Sequence, residues 1–296
     1  MKIQQNTYSR GILMSGAGML IISPDGLLLR LVGDVSTWNI IFYRSAFIAL
    51  SLVIFLLLRE RRDISAIWHN FGRAGWISTI LMVASNLSFV AAITNTSVAN
   101  TLVLVATMPF FSAILGWILI GETVKPRTWV SIGLAIGGII IIFSGSLGGG
   151  NWTGDLLAAF TAFLLGLNLV VIRKAKERAV TMRALCMSGI IAALIALPMA
   201  TPAAVTSVDM AYLMLMGLFI IPVSMVLFLS GARYAPVAEI ALLALIETVL
   251  GPFWAWLGVG ETPSTNALIG GGIVILAIVI NALVGMRNNH YAKQQQ

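Results

Sequence analysis

The stretch WILIGET occupies residues 117–123, and WLGVGET occupies residues 256–262. Four of the seven letters agree, and the copies start 256 − 117 = 139 residues apart in a chain of 296. Each closes an apolar run with Gly-Glu-Thr, placing Glu122 at the first ending and Glu261 at the second. One ending per half points to a duplicated unit. A shift of 139 also matches Val98-Ala99 with Val237-Ala238, Ser85 with Ser224, Phe89 with Phe228, Gly133 with Gly272 and Arg44 with Arg183. A shift of 143 matches Gly11 with Gly154 and Arg30 with Arg173.

The solvent of that unit follows from composition. The chain is 59% hydrophobic and 10% charged, with mean hydropathy +0.97. A soluble domain carries about 25% charged residues. The apolar residues form ten blocks, near 11–31, 38–58, 74–94, 98–121, 128–145, 152–172, 182–200, 208–231, 235–257 and 266–285. Most have the length a helix needs to cross hydrocarbon. None shows the alternation of a barrel strand. The first block is too long for a signal-peptide core and lacks a cleavage pattern, so it reads as the first span. The expected fold is an all-α polytopic membrane protein of ten transmembrane helices.

The net charge of +7 is a matter of placement. With the N-terminus inside, 16 of the 18 basic residues fall on the cytoplasmic side, and Arg30 and Arg44 are left over. Asp34, Asp155, Asp209 and Glu261 fall outside. This positive-inside pattern predicts cytoplasmic termini and a bacterial inner-membrane location. It explains the basic balance through the lipid bilayer and excludes nucleic acid as a partner. Cys186 is the only cysteine, so no internal disulfide forms. His69 and His290 lie in a loop and the tail, so neither a metal site nor a cofactor is expected.

The run GSLGGGNW, residues 145–152, divides the chain into halves 1–146 and 147–296. Each half holds five spans. Five is odd, so the second unit enters the membrane upside down, as in inverted-repeat transporters. Glu122 then ends the fourth span inside, and Glu261 ends the ninth outside. A turn or cap role suits both glutamates; a gate role is the other reading.

LGWILIGETVKPRTWVSIGLAIGGIIII at 115–142, WAWLGVGETPSTNALIGGGIVILAIV at 254–279, SPDGLLLRL at 23–31 and IIFYRSAF at 40–47 carry a family resemblance. The chain resembles EamA-type members of the drug/metabolite transporter superfamily over nearly its whole length. That resemblance implies ten helices around a central cavity formed by spans one to four and six to nine, with spans five and ten peripheral. It also implies export or exchange of small metabolites such as amino acids. Second repeats of that family often carry Glu-Pro in the ninth helix; this chain has Glu247-Thr248 and keeps the proline in its first half as Pro109. Pro24, Pro109, Pro222 and Pro252 fall within spans and mark expected helix irregularities.

A charge at mid-span costs roughly 2.5–3.5 kcal/mol on insertion scales, so such residues face a cavity or pair. Asp25 and Arg44 sit at matched depth, about 6 Å outward of the midplane at 1.5 Å per residue. They form either a structural ion pair or a pair that opens to a charged substrate or proton. Glu247 lies near the centre of a span without lysine or arginine. It carries a proton, meets a substrate ammonium, or serves as a structural acid or an outward contact. Glu239, two turns earlier, lies near the cytoplasmic mouth. Asn86 in the third span, and Asn168 in the register of Asp25, are amides that either hydrogen-bond a neighbouring helix or meet a polar or zwitterionic solute. Tyr43 and Trp254 line a cavity or simply pack.

No GxxxxGK[ST] motif is present, which removes ATP-driven transport by that route. No HExxH or GxSxG motif supports an intramembrane enzyme. The reading is a non-enzymatic secondary transporter of a small organic solute, exporting or exchanging by alternating access. The partners are lipid and solute, with coupling to protons open, in a monomer or weak homodimer. An uptake permease is the alternative within the class, and a non-transporting scaffold or intramembrane enzyme outside it.

Overall fold

The computed structural model describes residues 2–59, 71–124, 126–146, 151–175, 180–201, 205–231 and 237–294. All regular structure among them is helical. In chain order the helices are α1 (Lys2–Ile22), α2 (Asp25–Leu31), α3 (Thr37–Arg59), α4 (Gly72–Asn95), α5 (Val98–Val105), α6 (Met108–Ile120), α7 (Pro126–Ser146), α8 (Trp152–Ala175), α9 (Val180–Ala196), α10 (Ser207–Met214), α11 (Ile221–Gly231), α12 (Val237–Val259) and α13 (Thr265–Gln294). A π-helical turn, Leu215–Ile220, joins α10 to α11. Among the described residues, eight helical segments are long and apolar enough to span a membrane, and Leu243–Val259 and Thr265–Asn281 are shorter apolar helices.

Polarity runs inside out. Leu13, Leu58, Ile80, Val130, Ile140 and Leu268 are well exposed on the outer surface, while Ser15, Asp25, Asn39, Arg44, Asp155 and Ser224 are buried. In hydrocarbon this is the stable arrangement, because every polar group must find its partner within the protein.

Three of the four prolines expected to mark irregularities sit at one. Pro24 separates α1 from α2. Lacking an N–H, it cannot serve the carbonyl of Leu20. Ser23 Oγ donates to that oxygen instead, at 2.8 Å. Pro109 is the second residue of α6, just after the break at Ala106–Thr107. Pro222 follows the π-helical turn. Pro252 differs, since α12 runs through it without ending. Its neighbour Gly251 brings that backbone hard against Leu102 of α5.

The two GET endings share a left-handed glycine and a glutamate N–H bond, although the Gly121 N–H bonds Gly116 O and the Gly260 N–H bonds Trp256 O. Gly121 has φ +69° and Gly260 has φ +68°. The glutamate N–H after each glycine bonds six residues back, Glu122 to Gly116 O at 3.1 Å and Glu261 to Ala255 O at 3.4 Å. Glycine in the left-handed region just past the last turn is a standard helix stop. It explains why the same letters end both runs.

The helices pack in matched sets. α4 lies along α8, and α1 along α11. α9 lies against α4, and the π-helical turn against α3. α12 lies against α1 and α2, while α5 and α6 lie against α8. α3 pairs with α9, and α7 with α13. The α7–α13 seam is closest at two glycines. A Cβ at Gly138 would lie 2.6 Å from Gly270 O, and one at Gly270 would lie 2.5 Å from Gly138 O.

Candidate functional site

The break between α1 and α2 places Asp25 at the start of α2, almost fully buried. Arg44 comes from α3 and is equally buried. Its Nη2 donates to Asp25 Oδ2 at 2.7 Å. Its Nη1 donates to Asn86 Oδ1 of α4 at 3.1 Å. Asn86 Nδ2 in turn donates to Ser45 Oγ at 2.8 Å. The guanidinium carbon lies 5.7 Å from the centre of the Phe89 ring. Three helices thus hold one charged network. It is incomplete: Asp25 Oδ1 and Arg44 Nε are buried without a hydrogen-bond partner. An unmet acceptor in a dry interior is costly, which marks a place where a donor belongs.

Trp254 of α12 closes one side, with Nε1 donating to Ser23 Oγ at 3.0 Å. Glu247 sits two turns earlier on α12 and is half-buried. Asp25 and Arg44 both lie within electrostatic reach of it. Tyr43 packs against the Phe42 and Phe47 rings. Asn168 is buried in α8, with Oδ1 unpartnered and no hydrogen bond to the Asp25 network. Glu239 falls near the start of α12, and its side chain lies outside the described residues. An open groove lined by Ser9, Arg10, Leu13, Met14, Ala17 and Leu227 runs along α1 beside α11, and none of the charged residues of the network lines it.

A second polar cluster gathers where α2, α5, α8 and α12 meet. Glu261 Oε1 accepts from Val98 N at 2.6 Å, capping the start of α5. Its Oε2 pairs with Arg30 Nε at 2.8 Å. Arg30 Nη2 also donates to Thr96 O. Thr96 Oγ1 donates to Asp155 Oδ1 at 2.6 Å, and Asn100 Nδ2 reaches the same carboxylate at 3.1 and 3.2 Å. The charge rule leaves Arg30 as an exception, and the sequence carries a signal for its partner: Arg30 and Glu261 are both expected on the same, outer side. Glu122, the repeat mate of Glu261, is half-buried at the end of α6.

With that geometry in view, similarity to known proteins is informative. A crystal structure of a protein 14% identical to this chain superposes with a TM-score of 0.67, covering 93% of this chain and 98% of its own. At that identity the likeness shows the fold alone. An uncharacterized transporter of Clostridium kluyveri is 27% identical over 227 residues, 72% of this chain and 73% of that protein. The model of the EamA-like transporter family matches twice, over residues 9–144 and 152–283. Two matches that together span nearly the whole chain make it a member of the EamA-like transporter family.

Proposed function

We propose that this chain is a secondary transporter of ten spans, built as two inverted five-helix units, residues 1–146 and 147–296. It moves a small organic metabolite, an amino acid or similar amphipathic or zwitterionic solute, by export or exchange. The observation that carries this reading is the matched packing. Exchanging the halves turns α1 on α11 into α8 on α4, and α12 on α1 into α6 on α8, and leaves α3–α9 and α7–α13 paired with themselves. A frame of this kind has two equivalent closures, one for each side of the membrane. The Asp25–Arg44 network and Glu247 lie where its parts meet.

In the proposed topology both termini face the cytoplasm of a bacterial inner membrane. Single cysteines placed in a C186A background test it. Labelling near residue 178 from the periplasmic side would refute it. Function is tested by solute flux in proteoliposomes against a broad panel of amino acids and related solutes. Movement down a gradient that empty liposomes lack supports transport; no movement of any solute, with folded protein, removes it.

A further inference from the structure

Glu247 belongs to one stripe of α12. Leu243 Cδ2 would lie 3.8 Å from a Cβ at Gly16, and a Cβ at Gly251 would lie 3.7 Å from Ser23 O. Trp254 bonds Ser23 Oγ, and Gly258 meets Leu27. Spacings of three and four residues keep 243, 247, 251, 254 and 258 on one helix face. That face looks at α1, α2 and the break between them. Glu247 is therefore held opposite the segment that delivers Asp25.

The charges at this meeting point do not balance. Arg44 is one guanidinium facing two carboxyl groups, Asp25 and Glu247. Among the described residues no other cation is available nearby. Arg30, on α2, is committed to Glu261 and Thr96 O. Arg10 on α1, and Arg287, His290 and Lys293 on α13, lie many turns away along their helices. Arg59 ends α3, and α5 carries no charged residue. Asp25 spends only Oδ2 on Arg44, and Oδ1 has no partner. Glu247 makes no hydrogen bond or ion pair with any described residue, yet remains partly accessible. Among the described residues no cluster is suited to a metal ion. A group with one positive charge and several N–H donors would satisfy both carboxylates together.

We infer that Asp25 Oδ1 and Glu247 form the subsite for a protonated amine on the transported solute, so that a solute lacking a charged amine is rejected. This rests on the transporter reading above. Arg44 holds Asp25 in place and contributes specificity by leaving room for one positive charge only. The solute's carboxyl group is dispensable at this subsite.

The test uses purified full-length protein in lipid nanodiscs and matched probes: amino-acid methyl esters, free amino acids and N-acetyl amino acids, with aliphatic, aromatic and basic side chains. Binding is read by tryptophan fluorescence and thermal shift, at a pH where the ester amines are charged. Esters and free amino acids are expected to bind and to compete, and their N-acetyl counterparts to fail. E247Q should weaken ester binding about tenfold or more, the size of one lost charge-assisted contact. The probe series on wild-type protein needs no variant to fold. N-acetyl probes binding as well as esters, E247Q binding esters at wild-type strength, or no response to any amine would each overturn the subsite. Flux separates the two readings. A bound amine that never crosses proteoliposomes refutes transport and leaves the subsite standing. Flux confined to N-acetyl solutes does the reverse.

Discussion

The first span and its register mate in the second half make the sharpest contrast in the molecule. α8 runs unbroken from Trp152 to Ala175, whereas α1 and α2 are parted at Ser23–Pro24. Asn168 stands in α8 where Asp25 stands in α2, under the 143-residue shift. Elsewhere Met108 stands in register with Glu247, and Arg44 with Arg183 near the start of α9. Helix contacts follow the proposed repeat and chemistry does not. Helix contacts are set by apolar surface and small residues, which both halves kept. Charges are set by what the interior must hold: Asp25 and Glu247 have the uncharged mates Asn168 and Met108, and the mate of Arg44, Arg183, is a second arginine without an acid in the register of Asp25. The proline break adds to this asymmetry, because Ser23 must serve both the Leu20 carbonyl and Trp254.

Neutralising the asymmetric charges should have the largest effect. D25N or R44Q alone leaves one buried charge unmatched, with an expected loss of about 3–5 kcal/mol. The D25N/R44Q double variant should unfold at a higher temperature than either single variant. A thermodynamic cycle measured by unfolding in detergent checks the coupling. Additive effects would dissolve the pair and with it the chemical contrast between the halves. The homologous N168D change in α8 supplies no guanidinium partner and should destabilise rather than rescue.

The proposed symmetric frame can be broken at the α7–α13 seam. G138A places a Cβ against Gly270 O, and G270A one against Gly138 O. Each should cost about 1–3 kcal/mol through overpacking. Gly133, on the same helix, has open space around it, so G133A is the control and should be nearly neutral or slightly stabilising. Thermal unfolding of the three variants decides whether the seam or the glycine count matters.

Much of this was legible in the letters. Blocks of apolar residues gave the helices, because hydrocarbon thickness sets their length. Opposite charges at matched depth in adjacent spans pointed to Asp25 and Arg44, which the structure joins at 2.7 Å. Other contacts were hidden because they depend on how distant spans cross. Arg30 and Glu261 are 231 residues apart in sequence, and Trp254 lies equally far from Ser23. No periodicity reports such crossings. The continuity of α12 through Pro252 was also invisible, since a proline in a span announces a missing donor but not whether neighbouring helices hold the axis together.

An intermediate effect is expected at the Glu261 cluster. E261Q keeps one acceptor for Val98 N–H and loses the ion pair with Arg30, whose side chains are 21% and 26% exposed. Water moderates the loss to about 1–2 kcal/mol. R30Q should cost a similar amount, and the double variant little more than either. Unfolding measured at low and high salt checks it, since a tie made of charge weakens as salt rises.

The smallest effect sharpens the comparison most, because it isolates the one feature the two halves share without decoration. Gly121 and Gly260 have φ values of +69° and +68°, and a Cβ on either would meet nothing within 4 Å. An alanine at either position therefore adds no clash. It only forces an L-residue into the left-handed region, at about 1 kcal/mol. Both glutamate N–H groups depend on that turn for their bonds to the carbonyl six residues back. If the two endings are one device used twice, G121A and G260A should shift the unfolding temperature equally, and the double variant should add the two shifts. The alternative is that Glu261, clamped by Arg30 and Val98 N–H, holds its turn against the strain. In that case G260A should cost measurably less than G121A, and combining it with E261Q should bring the costs back to equality. Unequal costs that persist in the E261Q background would mean that the repeated letters end two different turns.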